Sequence, residues 1–261
     1  MVATLHILNV VANLKMSRNQ KIISNLENLY DKNFKEIQHP SIGQWLDLLQ
    51  TENPDVFSLD EQRTVKLYDQ SILSNFDNAK NNQRLVECYE KTIKLAFNET
   101  EIINGFVSDL KSSFKKINNG IKIIEDSKIQ IIILTYDFEP YAWISGFGEG
   151  NYPILEKPEY FDFNYQKDFF EILGRVDYSK VWHNLIKLAE YLEEAEIYDD
   201  VFETEFYQNL RNCYIFKTYL FLNQAFNIVE AELFSGLNIK KPLLVYGNEH
   251  DCEKMNIYCY E

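Results

Sequence analysis

Cysteine is scarce in this chain. Four residues, Cys88, Cys213, Cys252 and Cys259, are spread through 261 positions with no C-x-x-C spacing. That excludes a small disulfide-framed domain, and Cys88 and Cys213 fall on apolar helix faces, where a thiol acts as a small hydrophobe. Histidine is as rare: His6, His39, His183 and His250. There is no H-E-x-x-H and no histidine pair at helical spacing, so a zinc centre would have few ligands to draw on. The 9 glycines and 6 prolines leave no room for a repetitive or low-complexity tract. No apolar run approaches the roughly 20 residues of a membrane helix. The opening MVATLHILNVVANLK has no cation ahead of its apolar run and is interrupted by His6 and Asn9, which sets the expected location in the cytoplasm. Cations are also short, 26 Lys and Arg against 40 Asp and Glu, for a net charge of −14.

The deficit is local. Residues 1–120 hold 14 Lys/Arg and 15 Asp/Glu, whereas 121–261 hold 12 and 25. A field of that sign repels phosphate backbones and anionic lipids and attracts basic partners, so neither a nucleic acid nor a membrane is expected as partner.

What is present begins with helices. Leu5, Leu8, Val11 and Leu14 keep a spacing of three to four, and so do Ile22, Leu26, Leu29 and Tyr30 behind a Ser17 cap. Ser41 with Gln44 and Ser58 with Glu61 are capping-box pairs, the first leading to Trp45 and the second to Val65, Tyr68 and Phe76. Leu85, Cys88, Tyr89 and Ile93 predict another helix. So do Ile102, Phe106, Leu110, Phe114 and Ile117, closed by Asn118-Asn119-Gly120. Residues 1–118 thus read as a helical, bundle-like region, and 119–261 as an acidic α+β region, with one continuous domain as the alternative.

Strands are expected at Ile121–Ile124 and Ile129–Tyr136, both rich in isoleucine, and after the Asp137-Phe138-Glu139-Pro140 turn at Tyr141–Ser145. A loop is expected from Gly146 to Asn151, another strand at Tyr160–Tyr165, and a turn of helix at Asp168–Leu173. Helices return at Val181–Ala195 and at Thr204–Phe234, the latter apolar around most of its circumference and so central. Pro242–Gly247 and Met255–Tyr260 complete a small antiparallel or mixed sheet. The fold class is α+β.

Three groups could carry chemistry. Gly146-Phe147-Gly148-Glu149-Gly150 fails as a phosphate cradle, since it places a carboxylate where phosphate would sit and has no following Lys-Ser/Thr. Glu249, His250, Asp251 and Cys252 gather metal and thiol ligands in the link between the last two strands. A polar hairpin turn is the stronger reading of them, and a metal- or thiol-dependent hydrolase the alternative. His183, beside Trp182 at a helix start, reads as packed or capping. The third group is the most distinctive: Glu190, Glu193, Glu194, Glu196, Asp199, Asp200, Glu203 and Glu205, with no Lys or Arg between Lys187 and Arg211. Tyr191, Tyr198, Phe202, Phe206 and Tyr207 are interleaved or adjacent. A charge run is commonly a solvated face, but acids beside tyrosine and phenylalanine also make a surface that steers and anchors a basic protein.

A small, acidic, tyrosine-rich α+β chain of this style resembles the immunity proteins that neutralise bacterial toxins. The resemblance implies a non-catalytic inhibitor that occludes a basic toxin domain, and the charge pattern itself makes Tyr198 and the acids of 190–205 the candidate binding residues. It implies no cofactor and leaves the oligomeric state open. A scaffold or accessory subunit built on the helical half is a further alternative.

Overall fold

The computed structural model describes residues 16–38, 41–52, 70–120, 128–137, 139–202 and 204–261. The expected helix at Leu5–Leu14, the Ser58/Glu61 box with Val65 and Tyr68, the strand at Ile121–Ile124, and Glu203 of the acidic run lie outside the described residues.

Helix α1 (Arg18–Glu36) starts at a reciprocal capping box, in which Gln20 N–H donates to Ser17 Oγ at 3.2 Å and Ser17 N–H to Gln20 Oε1 at 3.0 Å. Helix α2 (Ile42–Glu52) opens on the expected bond from Gln44 N–H to Ser41 Oγ, and buries Trp45. Helices α3 (Gln70–Asn81) and α4 (Gln83–Ile93) are separated by Asn82, whose side chain caps α4 by accepting from Leu85 N–H. Helix α5 (Glu99–Gly120) buries all five residues of its apolar stripe.

Next come β1 (Ile129–Tyr136), β2 (Tyr141–Phe147) and β3 (Asp168–Asp177), then α6 (Ser179–Glu194), α7 (Tyr198–Phe202) and α8 (Glu205–Phe234), then β4 (Ile239–Glu249) and β5 (Lys254–Tyr260). The architecture is α+β, with eight helices and one five-stranded mixed sheet among the described residues. The strand order is β3-β2-β1-β4-β5. β1 and β4 run parallel, Ile133 opposite Tyr246, and every other pairing is antiparallel. A parallel pair needs a long crossover, and here it consists of everything between β1 and β4, ending in α8. At 30 residues, α8 spans about 45 Å. It packs on α1, α5 and the sheet, which is why its apolar residues go all round it. No helix among the described residues is long and apolar enough to cross a membrane.

The two faces of the sheet are covered differently. Gly247 lies against Tyr219 of α8, where an added Cβ would come within 2.6 Å of the ring. Its neighbour Tyr246 faces the other way, edge-on to Phe163 at 4.8 Å and bonded through its hydroxyl to Pro153 O. Residues 151–165 thus serve as a lid on that second face. This corrects the strand expected at Tyr160–Tyr165: Phe161 and Phe163 alternate because they are packed down, while Asn164 turns at φ 46° on a bond to Asp162.

Asp168–Leu173 is also not helical. It begins β3, an edge strand whose register slips against β2 and whose Ile172 takes a φ of 53°. The bulge breaks the alternation of two that would mark a strand, leaving a spacing that mimics a helix. Gly146 and Phe147 belong to β2 and not to the loop, because Phe170 of β3 packs where a side chain on Gly146 would lie.

Candidate functional site

The acidic run occupies the corner where α6 ends, α7 turns and α8 begins. Helix α6 is fixed from below: Trp182 Nε1–H donates to Thr218 Oγ1 of α8 at 2.9 Å, and Thr92 of α4 donates to Asn184 O at 3.1 Å. This leaves Glu190, Glu193 and Glu194 exposed on its outer side. The helix ends in a Schellman arrangement, with Ile197 N–H on Leu192 O, Glu196 N–H on Glu193 O, and Glu196 itself left-handed at φ 56°. Ile197 is buried, so the chain turns sharply and carries Asp199 and Asp200 into the first turn of α7. Thr204 then caps α8, and Glu205 stands in its first turn, where the helix dipole favours a negative charge.

Space brings cations that sequence order hides. Lys187 pairs with Glu190 at 2.5 Å, and Arg84 reaches Glu194 at 4.0 Å while lying 4.7 Å above the ring of Tyr191. Glu193, Glu196, Asp199, Asp200 and Glu205 form no ion pair among the described residues. Burial, and then Asp199, push the Asp200 carboxyl above the usual range. Of the neighbouring aromatics, Tyr191, Tyr198 and Phe202 are half-buried at the surface, whereas Phe206 and Tyr207 are core. Phe206 packs on Trp45 and Tyr89, and so belongs to stability rather than to the surface.

Adjoining this corner is a cleft of about 720 Å³ between α1, α8 and the β4–β5 hairpin. It opens at the carboxyl ends of the parallel strands β1 and β4, with Tyr136, Gly247 and Met255 in its floor. Arg211, on the second turn of α8, pairs there with Glu249 at the end of β4, their side chains 22% and 20% exposed. Burial works against the guanidinium charge, and the carboxylate more than offsets it. Arg211 also lies 6.0 Å from the ring centre of Phe202, which links the cleft to the acidic corner.

The hairpin reading of 248–253 holds. Asn248 pairs with Lys254, Cys252 N–H donates to Glu249 O at 2.9 Å, and Asp251 turns at φ 59°. The four candidate ligands are divided: Glu249 and Cys252 line the cleft, while His250 and Asp251 stand at the tip, 64% and 89% exposed, 3.3 Å apart. Among the described residues no three His, Cys, Asp or Glu side chains are grouped to hold a metal. Burial and the neighbouring Glu249 raise the Cys252 thiol, which opposes formation of a nucleophilic thiolate. His183 is exposed on α6 and not packed into the core, and the N-cap position of that helix is Tyr178.

Sequence reading passed over Arg211, Tyr136 and Asn209. The available signal was Arg211: a cation inside a helix apolar on nearly every side needs a partner. Comparison with protein-family models, with curated proteins and with solved structures finds no match for this chain.

Proposed function

We propose that this chain is a non-catalytic binding protein that occludes a basic protein, in the manner of immunity proteins that neutralise bacterial toxins. One observation supports the reading above the others: five exposed or half-exposed carboxylates without an ion pair among the described residues, next to the half-buried rings of Tyr191, Tyr198 and Phe202. Unpaired acids repel one another and add nothing to the packing of α6 or α8, but they speed encounter with a positive surface. The aromatic edges supply the desolvated contact that charge alone lacks.

The test is capture from the native host by the immobilised protein, in parallel with a Glu193→Lys/Asp199→Lys/Glu205→Lys variant. The expected result is a basic protein retained at low salt by the parent and lost by the variant. Its association rate should fall about tenfold or more as ionic strength rises from about 0.01 to 0.15 M. Recovery of no basic partner, or capture indifferent to both salt and charge reversal, overturns the reading.

A further inference from the structure

The interior of the cleft is polar but electrically balanced. Among the described residues its interior cation is Arg211, which is matched by Glu249. Around that pair, Asn33, Gln208, Asn209 and Asn212 contribute carboxamides to the walls. Gln208 and Asn212 use their N–H groups on Phe202 O and Asn33 Oδ1, which leaves their oxygens as acceptors. Asn209 makes no side-chain hydrogen bond among the described residues, and the Arg211 guanidinium makes none beyond that to Glu249. The mouth carries both signs, Lys32 and Lys157 with Glu36, Glu205 and Glu253, none of them in an ion pair among the described residues. At the same mouth Tyr160 is 71% exposed, on a segment held to β5 by the reciprocal Glu159–Lys254 backbone bonds.

From these groups we propose that the cleft binds an uncharged polyhydroxylated small molecule, a free sugar or the sugar of a nucleoside. A hydroxyl both donates and accepts, which is what a wall of carboxamide oxygens, amide N–H groups and guanidinium N–H groups can satisfy. A phosphorylated ligand would meet Glu249 inside and a chain of net charge −14 outside, and an ammonium ligand would meet Arg211. The Tyr160 ring offers a flat apolar face to the C–H side of a sugar ring or to a base. The volume suits a ligand of that size, and carboxyl ends of parallel strands are where open sheets containing parallel strands commonly bind small molecules. This site adjoins the acidic corner and shares Glu205 with it at the mouth, but its walls are formed by other residues, so it stands whether or not a basic protein binds at the corner.

Cys252 supplies the readout, since it lines the cleft and is not buried, whereas Cys88, Cys213 and Cys259 are buried. The intact protein is alkylated with iodoacetamide at alkaline pH and followed by mass, with glucose, ribose, N-acetylglucosamine, adenosine or uridine present at about 10 mM, ten times a Kd of about 1 mM. The expected result is about tenfold slower modification of Cys252 with at least one of these, and little protection by ribose 5-phosphate or glucosamine. Protection by free sugars identifies a sugar site, and protection by nucleosides alone a nucleoside site. Asn209→Leu, which breaks no hydrogen bond among the described residues, should abolish protection. Tyr160→Ala at the mouth should weaken it, and serves alone if the leucine variant does not fold. No protection by any uncharged probe, equal protection by the charged ones, or protection unchanged in both variants overturns the proposal.

Discussion

Glu196 holds a backbone position that glycine fills at small cost, the left-handed residue closing α6, and it does so with a φ of 56°. Among the described residues its side chain makes one hydrogen bond, and a weak one, accepting from Asn75 Nδ2–H at 3.3 Å. Glu196→Gly should therefore raise stability by about 1 kcal/mol, read as a higher urea midpoint at unchanged slope. If the acidic corner binds a basic partner, the same change should also slow association, so that stability and binding move in opposite directions. Asp200 makes a related case. Its carboxyl is raised in the folded state by burial and by Asp199. The charged form is thus penalised by folding, fully above the folded pKa and not at all below the unfolded one. Asp200→Asn should stabilise the protein near neutrality, with a gain that disappears as pH falls through the carboxylate range; thermal melts at stepped pH measure it. A gain that persists in acid would mean that Asp200 is not the group concerned. At the cleft, Arg211→Met should cost about 2 kcal/mol because it leaves Glu249 part-buried and unpaired, while Arg211→Met with Glu249→Leu should recover most of that. Neither Arg211 nor its partner could be paired from sequence, because the two lie 38 positions apart and only the crossover brings them together.

At the scale of elements, sheet edges show how little exposed strand the fold tolerates. β3 is covered by α5: Ser113 Oγ accepts from Arg175 N–H and donates to Arg175 O, while Asp109 accepts from Asp177 N–H. Gly174 permits this approach, since a Cβ there would lie 2.5 Å from Ser113 Cβ. β5 is covered by α1, with Asn19 accepting from Cys259 N–H. Both devices blunt edges that would otherwise pair with another chain. Ser113→Ala should cost about 1–2 kcal/mol by urea unfolding, because two backbone groups lose their partner. The helices that make these contacts were legible in the sequence: apolar spacing and the Ser17 and Ser41 caps located α1, α2, α4 and α5, and β1, β4 and β5 announced themselves as short β-branched or aromatic runs. β3 was not legible. Its order is imposed by β2 on one side and α5 on the other, and its bulge erases the period of two. The acidic run was plain as a sequence feature, whereas its partial neutralisation by Arg84 depends on a contact across 110 positions.

For the whole molecule, the question is how a nearly neutral first half and a strongly acidic second half share one structure. The buried apolar residues form a continuous cluster from Ile22 to Cys259, and α8 touches helices of the first half and strands of the second. Thr92 of α4 is bonded to both α6 and α8, the latter through the Tyr214 hydroxyl at 2.9 Å. A helix that completes the core on both sides cannot unfold with one half and remain with the other, because each half would then expose the face it buries on α8. Urea unfolding should accordingly be a single transition. The three tryptophans make it measurable: Trp45 on α2, Trp143 on β2 and Trp182 on α6 sample the helical region, the sheet and the acidic helix. Single-tryptophan variants, with the other two replaced by phenylalanine, should give fluorescence midpoints that coincide with one another and with far-ultraviolet circular dichroism. An earlier midpoint for Trp45 alone would show residues 1–118 unfolding as a separate unit. The acidic second half adds a further signature: its unpaired carboxylates repel, so salt should raise the common midpoint at pH 7. The Glu193→Lys/Asp199→Lys/Glu205→Lys variant should gain less from salt than the parent, since reversing three charges at one corner relieves the repulsion that salt would otherwise screen.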